Sequence, residues 1–279
     1  MKVCCIGIGV MGGALMKAVI KVVGKTNLLI SDGDLEKSKV FAKENGCVVV
    51  ASNVEAVKEA DIVFIAVKPA FVGEVLDEIG PYLDGKIVVS VAAGLTIASI
   101  KEMYSFSIMM AGEAESNVSF IRIMPNIPAI AGQAMIAICA DPSEPEALTE
   151  KNVAIVSKLL SHAGQVDQVN EKMMDAVTAI SGSGPAYAFM FIEALADAAV
   201  RMGMSRRQAY IYASQTLKGA AEMQLLTGSQ PGELKDAVCS PAGTTIEAVK
   251  VLEDRGFRSA IMNAAEAAYE KAQELGRKK

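Results

Sequence analysis

The sequence predicts an α/β protein of two domains, in which an N-terminal doubly wound, mostly parallel sheet is followed by an all-helical C-terminal domain. Three observations carry this prediction: a length of 279 residues, short β-branched runs that alternate with helical stretches in the first half, and the loss of strand patterns from about Pro145 onward. A chain of this length exceeds the usual size of a single domain. We expect the domains to span residues 1–164 and 165–279.

Seven β-branched runs define the strands of the first domain. They are Lys2 to Ile8, Leu28 to Ser31, Cys47 to Ala51, Asp61 to Val67, Lys86 to Val91, Phe120 to Met124 and Ala134 to Cys139. Several are nearly continuous Val and Ile, as expected for strands that helices cover on both faces. Their alternation with helical stretches predicts a parallel, doubly wound sheet.

Helical patterns fill the second half of the chain. They run from Leu148 to His162, Lys172 to Ile180, Pro185 to Met202, Ser205 to Leu226, Thr245 to Asp254 and Arg258 to Leu275. The helix from Pro185 is apolar nearly all the way round, which a domain of this size cannot bury alone on every side. We infer association into a homodimer or higher homo-oligomer through this helix. Burial inside one chain is the alternative.

Composition excludes several classes of partner. The 27 basic and 32 acidic residues give a net charge of −5 without a basic stripe, which argues against nucleic acid. No run of 18 apolar residues indicates a membrane span. The five cysteines are odd in number and form no CxxC pair, which favours a reducing compartment, the cytoplasm, and argues against a zinc site.

A glycine fingerprint follows the first predicted strand and opens a helix. Its residues are Gly7-Ile8-Gly9-Val10-Met11-Gly12. The first glycine permits a tight turn, the second admits a pyrophosphate, and the third allows close packing of helix and strand. The helix N-terminus adds N–H donors and a positive dipole. We therefore expect a Rossmann-type dinucleotide site at Gly7, Ile8, Gly9, Met11 and Gly12.

Asp32 stands at the end of the second predicted strand, about 20 residues after Gly12. An acidic side chain at this place accepts hydrogen bonds from the adenosine ribose, which favours NADH. Alternatively, Asp32 opens the turn Asp32-Gly33-Asp34 ahead of the next helix. Ser31 and two lysines, Lys37 and Lys39, can accommodate a 2′-phosphate instead.

Two further segments follow strands of the predicted sheet. Val67-Lys68-Pro69 ends the fourth strand, and Asn126 follows Met124-Pro125. Ligands of open parallel sheets lie beyond the carboxyl ends of the strands, so these residues are candidates to line a cofactor and its substrate. Simple strand termination at the two prolines is the alternative.

The helical half contains two glycine-rich helix starts, Ser181 to Pro185 and Ser240 to Thr245. In the second, Thr244 and Glu247 fit a capping box. The same backbone N–H groups also form a cradle suited to a carboxylate. His162, the only histidine, suits the dipole at the end of a predicted helix, and its isolation argues against a metal cluster or a histidine proton shuttle.

Taken together, five segments resemble the signature blocks of pyrroline-5-carboxylate reductases, in the family's order and over nearly the full chain. They are the fingerprint, Ala66-Val67-Lys68-Pro69, Arg122 to Pro128, Ser181 to Tyr187, and Ser240 to Thr245. The resemblance implies a dinucleotide-binding domain followed by a helical dimerisation domain. It also implies reduction of 1-pyrroline-5-carboxylate to L-proline, with NADPH as the cofactor and NADH possible from Asp32.

The resemblance also implies roles for single residues. Gly243 and Thr244, with Ser240, would hold the substrate carboxylate, and Thr245 would donate a hydrogen bond to the ring nitrogen. Asn126 would lie beside the nicotinamide and the substrate. A cyclic imine needs mainly positioning and one donor, because its nitrogen can arrive protonated.

Three features depart from the family pattern. Ala242 replaces a glycine of the family's Pro-Gly-Gly-Thr-Thr, a change with little effect unless that position requires a positive φ. The stretch from Phe106 to Ser119 resembles an insertion. Asp32-Gly33 stands where relatives often carry polar or basic residues for the 2′-phosphate.

Two other functions fit the architecture. A β-hydroxyacid dehydrogenase would carry a lysine shortly after a glycine-rich helix start, whereas Gly182 to Phe191 contains none. A non-catalytic nucleotide sensor would leave the cradle at Gly243 without a purpose beyond helix capping. Cofactor turnover separates this sensor from the enzymes.

Overall fold

The computed structural model describes residues 1–114 and 116–277. The strands are β1 (Val3–Ile6), β2 (Leu28–Ser31), β3 (Val48–Val49), β4 (Ile62–Ile65), β5 (Ile87–Ser90), β6 (Ser119–Met124), β7 (Ala134–Ala140) and β8 (Gly164–Gln168). The helices are α1 (Val10–Val23), α2 (Leu35–Asn45), α3 (Asn53–Glu59), α4 (Val72–Ile79), α5 (Ile97–Ala111), α6 (Glu146–Leu160), α7 (Met174–Val177), α8 (Gly184–Arg201), α9 (Arg206–Thr227), α10 (Pro231–Val238), α11 (Thr244–Asp254) and α12 (Phe257–Arg277).

The strands form one sheet in the order β3-β2-β1-β4-β5-β6-β7-β8. Neighbouring strands are parallel except β6 and β7, which are antiparallel. β2 pairs with one edge of β1 and β4 with the other, so the chain adds strands first on one side of β1 and then on the opposite side. Such a switch point opens a crevice at the carboxyl ends of the strands, which positions a ligand there.

Alternate residues of β1 bury into opposite faces of the sheet. Val3 and Cys5 belong to a core with residues of α1 and α6, whereas Cys4 and Ile6 belong to a second core with residues of α3, α4 and α5. All four side chains are almost completely buried. The predicted doubly wound sheet, with helices on both faces, is confirmed.

The chain divides into two compact units, a sheet unit and a helical unit. The sheet unit comprises residues 1–182 together with the C-terminal residues from Ala268, and the helical unit comprises Ser183–Ala267. Of the residues described in the helical unit, only three alanines are buried: Ala196, Ala209 and Ala213. The helical unit on its own therefore has a very small apolar core.

Two elements of the second half differ from the sequence prediction. The prediction that this half is all helix is wrong, because β8 pairs in parallel with β7, and the predicted domain boundary at residue 164 falls inside this strand. An edge strand needs no apolar run, and β8 has a single apolar residue, Val166. The helix α10 was not predicted, although its proline occupies a first-turn position that favours helices.

The stretch from Phe106 to Ser119 begins in a helix and ends in a strand. Helix α5 runs through Ala111 and ends at Gly112 in the left-handed conformation, and β6 begins at Ser119. Residue 115 of this stretch lies outside the described residues. His162 follows α6 rather than lying in its last turn, because that helix ends at Leu160. No helix among the described residues is both long and apolar enough to cross a membrane.

Candidate active site

The glycine fingerprint forms the turn from β1 into α1. Gly7 has a φ of +97°, and a Cβ there would lie 2.7 Å from the carbonyl oxygen of Ala66. A Cβ on Gly12 would lie 2.2 Å from the carbonyl oxygen of Gly7, whereas a Cβ on Gly9 would meet nothing within 4 Å. Gly9 is also the N-cap of α1 and provides no side-chain cap. The open space at Gly9, beside the helix N-terminus, is where a pyrophosphate can approach the backbone.

Asp32 holds this turn in place. Its Oδ2 accepts a hydrogen bond from the backbone N–H of Ile8 at 2.6 Å, and its Oδ1 accepts one from the N–H of Asp34 at 3.0 Å. The Lys37 ammonium lies 3.5 Å from Oδ2. Burial raises the pKa of Asp32, but the two N–H donors and Lys37 outweigh this effect and hold the pKa below its ordinary value.

The predicted turn at Asp32 is therefore present, because the bond from the Asp34 N–H closes it. Ser31 acts through its backbone, since its carbonyl oxygen accepts a hydrogen bond from the N–H of Gly7 at 2.8 Å. Its side chain is buried. Lys39 pairs with Glu36 at 2.6 Å.

A cleft of about 490 Å³ lies at the carboxyl ends of β1, β2 and β4. Six of the predicted cofactor residues line it: Gly7, Gly9, Asp32, Ala66, Val67 and Lys68. Ile8, Met11, Gly12, Ser31, Pro69 and Asn126 do not line it. Pro69 instead begins a 3₁₀ turn, with Lys68 at the N-cap position and no side-chain cap. The strand-end rule thus locates this cleft correctly in the sheet unit.

Five residues of the cleft that follow β3 and β4 were not predicted from the sequence. They are Asn53, Phe71, Glu74, Val75 and Glu78. The last four have the spacing of one helix face, which is the signal that could have found them once Phe71 was located beyond β4. The amide nitrogen of Asn53 donates to the Glu78 carboxylate at 2.6 Å, so two separate elements meet in the cleft wall.

Asn126 is buried and its amide is occupied within the sheet unit. Its nitrogen donates to the carbonyl oxygen and to Oγ of Ser181, at 3.0 and 3.2 Å, and its oxygen accepts a hydrogen bond from the N–H of Met135 at 3.0 Å. Ser181 belongs to the π-helical turn Thr178–Gly182. Asn126 therefore ties this turn to the ends of β6 and β7. One lone pair of its carbonyl oxygen is left for a ligand.

A buried ion pair reinforces the same region. The guanidinium of Arg122, on β6, lies 3.2 Å from Oε1 of Glu171, and this oxygen also accepts a hydrogen bond from the N–H of Ile97. Arg122 is 3% exposed, so its charge depends on this partner. Glu171 thus joins β6 to the first turn of α5. This pair was not predicted from the sequence, because its members are far apart in the chain.

The Ser240 to Thr245 segment connects α10 to α11 in the helical unit. The N–H of Gly243 donates to the carbonyl oxygen of Ser240 at 3.0 Å, and Ala242 has a φ of +56°. A Cβ on Gly243 would lie 2.3 Å from Oγ of Ser240. A larger residue at position 243 would have to displace the Ser240 hydroxyl, and the loop holds Ala242 in the left-handed region that favours glycine.

The predicted capping box at Thr244 is wrong. The N-cap of α11 is Gly243, with an extended conformation and no side-chain cap, and Thr244 is the first helical residue. The turn at Ala242 moves the start of the helix by one residue. Among the described residues, the hydroxyl of Thr245 has no hydrogen-bond partner, and its side chain is half-buried. The uncapped first turn of α11 therefore offers N–H donors and a free hydroxyl to a small anionic ligand.

Two family profiles match the chain. The profile described as "Pyrroline-5-carboxylate reductase dimerisation" matches residues 171–275, and the profile "NADP oxidoreductase coenzyme F420-dependent" matches residues 2–94. The second profile includes the glycine fingerprint that begins at Gly7, and the first includes the segment from Ser240 to Thr245.

Curated relatives and solved structures are similar over the full length. The pyrroline-5-carboxylate reductase of Methanosarcina acetivorans is 40% identical over 99% of this chain and 98% of its own, and that of Escherichia coli is 39% identical over the same shares. The crystal structure of Plasmodium falciparum pyrroline carboxylate reductase with NADP bound is 32% identical, with a TM-score of 0.82 over 99% of this chain and 98% of that one. A Coxiella burnetii pyrroline-5-carboxylate reductase is 29% identical, with a TM-score of 0.85 over 98% of both chains.

Proposed function

The chain belongs to the pyrroline-5-carboxylate reductase family, and from this premise we propose how its own residues carry out the reaction. It is an NAD(P)H-dependent oxidoreductase that reduces 1-pyrroline-5-carboxylate to L-proline, the last step of proline biosynthesis. In this reaction a hydride adds to the imine carbon, the C=N double bond becomes a single bond, and the ring nitrogen keeps the proton that it carries as an iminium.

The cofactor fits the cleft of the sheet unit. A dinucleotide supplies the hydride when bound, and the residues around Gly9 suit its pyrophosphate because they offer N–H donors and space that a side chain would fill. Asp32 keeps the turn in its binding conformation through the N–H of Ile8. Phe71 and Val75 offer apolar surface to the adenine.

The substrate is held by the start of α11. Its carboxylate accepts hydrogen bonds from the first-turn N–H groups beyond Gly243, assisted by Ser240 and Thr244, and the Thr245 hydroxyl donates a hydrogen bond to the lone pair that forms on the ring nitrogen as the hydride adds. The observation that carries this assignment is the uncapped first turn of α11 beside a threonine hydroxyl with no partner among the described residues. Asn126 positions the π-helical turn at Ser181, and its side-chain oxygen keeps one lone pair that can accept a hydrogen bond from the substrate or the cofactor.

We propose that two copies of the chain associate through the helical unit. The dimerisation profile includes this unit, and several large apolar side chains of α8 and α9 are exposed: Phe189, Met190, Leu195, Tyr210, Ile211, Tyr212, Met223, Leu225 and Leu226. Exposed apolar area of this extent is typical of an interface. It also argues against the alternative that α8 is buried inside one chain. The five cysteines are all free, which supports a cytoplasmic location.

The decisive experiment is oxidation of the reduced cofactor by the purified protein with 1-pyrroline-5-carboxylate, followed as the loss of reduced-nicotinamide absorbance. Turnover with release of L-proline is the expected result. A protein that binds the cofactor but turns over no cyclic imine would contradict the assignment and favour a nucleotide sensor.

A further inference from the structure

The adenosine end of the cofactor cleft carries an unusual balance of charge. Three carboxylates, those of Asp32, Glu74 and Glu78, line the same cleft as two ammonium groups, those of Lys37 and Lys68. The 2′-phosphate that distinguishes NADPH from NADH would bring a charge of roughly −1.5 to −2 into this cleft at neutral pH.

We propose that this enzyme selects NADH over NADPH, because Asp32 is fixed where the adenosine ribose binds and the carboxylates of Glu74 and Glu78 line the same cleft. This inference rests on the proposed function, in which the cleft holds the dinucleotide.

Asp32 is unable to turn away from a phosphate. Its two oxygens accept hydrogen bonds from the N–H groups of Ile8 and Asp34, and rotation of the carboxylate would break both. A carboxylate has about four acceptor sites, so the two N–H bonds leave capacity for the ribose hydroxyls. A 2′-phosphate dianion has no proton to donate. When it replaces the ribose 2′-hydroxyl, the phosphate and the Asp32 carboxylate are both anionic acceptors and repel each other.

The two lysines nearest the end of β2 are already paired with carboxylates, and Lys68, the other lysine of the cleft, follows β4, two strands away from β2 in the sheet. Lys37 lies 3.5 Å from Asp32, and Lys39 pairs with Glu36 at 2.6 Å. The hydroxyl of Ser31 is on a buried side chain that does not line the cleft. Recruiting Lys37 to a phosphate would require it to leave Asp32, which would expose the phosphate to the unpaired carboxylate.

Two glutamates of α4, on the side of the cleft opposite β2, add to the repulsion of a 2′-phosphate. Glu78 is held by the amide of Asn53, and Glu74 lies one helical turn before it on α4. Both carboxylates are on the solvent side of α4 but line the cleft. Like charges in a partly enclosed cleft repel more strongly than in open solvent, because the local dielectric is lower.

The test compares two non-reacting ligands on the full-length protein by calorimetry, ADP-ribose and 2′-phospho-ADP-ribose. We expect ADP-ribose to bind at least about 10-fold more tightly, and kcat/KM for NADH to exceed that for NADPH by a similar factor. Equal or tighter binding of the phosphorylated ligand would overturn the proposal, as would failure of both ligands to bind. Because binding needs no turnover, a protein that prefers ADP-ribose but fails to reduce 1-pyrroline-5-carboxylate would contradict the proposed function alone.

Variants that replace each glutamate by glutamine test whether the carboxylates of Glu74 and Glu78 contribute to the preference for NADH. Glu74→Gln and Glu78→Gln should each raise the affinity for 2′-phospho-ADP-ribose relative to that for ADP-ribose by about 3-fold. Glu44→Gln, on the exposed surface of α2 and outside the cleft, makes the same change of charge and serves as the control. Equal effects of all three variants would remove the two cleft glutamates from the selection.

Discussion

The carboxylate of Asp32 accepts a hydrogen bond from the backbone N–H of Ile8 at 2.6 Å, so a side chain at the end of β2 holds the glycine turn at the end of β1. The sequence suggested two roles for Asp32, a ribose ligand or a turn residue. The structure adds a third, because the bond to Ile8 supports the backbone on which the pyrophosphate would rest. Removing Asp32 therefore affects the whole cofactor, not only its adenosine end.

Asp32→Ala should weaken binding of NADH by at least about 10-fold, because a charge-assisted hydrogen bond to the glycine turn and the ribose contact are both lost. NADPH should lose less, because removing the carboxylate also removes its repulsion of the 2′-phosphate. Calorimetric titration of each cofactor measures this. The control is Asp34→Ala, which removes the side-chain cap of α2 but leaves the bond from Ile8 intact. An Asp32→Ala variant that binds NADH as tightly as the parent protein would contradict both the ribose contact and the role in the turn.

Stability should fall as the solution becomes acid. Burial raises the pKa of Asp141, but its bonds from Lys101 and Ser143 outweigh this effect, and the pKa of Asp32 is lowered in the same way. A carboxylate with a lowered folded-state pKa stabilises the protein above its unfolded pKa, about 4, and this contribution is lost as the pH falls through the folded-state pKa. The midpoint temperature of thermal unfolding, measured at pH values from 6 to 3, should decrease once the pH is below about 4.

Asp32→Asn provides the comparison for this pH dependence. The amide does not titrate, so the variant should be less stable at pH 6 and should lose less stability on acidification than the parent protein. Parallel curves for the two proteins would show that Asp32 does not contribute to the acid transition.

Thr245→Val should lower kcat/KM for 1-pyrroline-5-carboxylate by about 10- to 1000-fold, or about 1.4 to 4 kcal/mol, because the donor to the ring nitrogen is removed. Cofactor affinity should be nearly unchanged. Thr245→Ser keeps the hydroxyl and should retain most of the activity. Steady-state kinetics of both variants with either cofactor provide the measurement, and full activity of the valine variant would exclude Thr245 from the mechanism.

Ala242→Gly should stabilise the folded protein by about 1 kcal/mol, because an L-residue other than glycine is disfavoured at a φ of +56°. The matched control is Ala248→Gly in the exposed interior of α11, which should destabilise by about 1 kcal/mol. Denaturant unfolding at one protein concentration measures both. If the two substitutions changed the free energy of unfolding in the same direction, strain at Ala242 would be contradicted.

Met190→Glu should disrupt self-association, because it places a charge on the apolar surface of α8, where Met190 is 69% exposed. Light scattering should show a smaller particle than the parent oligomer, while circular dichroism reports whether the helices remain. Ala147→Glu, on the exposed surface of α6 in the sheet unit, adds the same charge and should leave the mass unchanged. An unaltered mass of the Met190 variant would exclude this surface of α8 from the interface.

The sequence alone determined the features that depend on local pattern. A β-branched run predicted β2 with the observed bounds, and glycine spacing predicted the turn at Gly7, because both properties reside in consecutive residues. The family blocks likewise identified the reaction. The π-helical turn at Ser181 was not predicted, and β3 is Val48–Val49 whereas the predicted strand ran from Cys47 to Ala51.

Only the tertiary structure decided the features that join distant residues. The edge strand β8 exists through its pairing with β7, and the turn at Gly7 is held by Asp32, 24 residues after Ile8. Asn126 finds its partners at Met135 and Ser181. Such contacts depend on how the chain returns to the same place, which no local propensity encodes. The same is true of Ala242, whose left-handed backbone follows from the loop in which it lies.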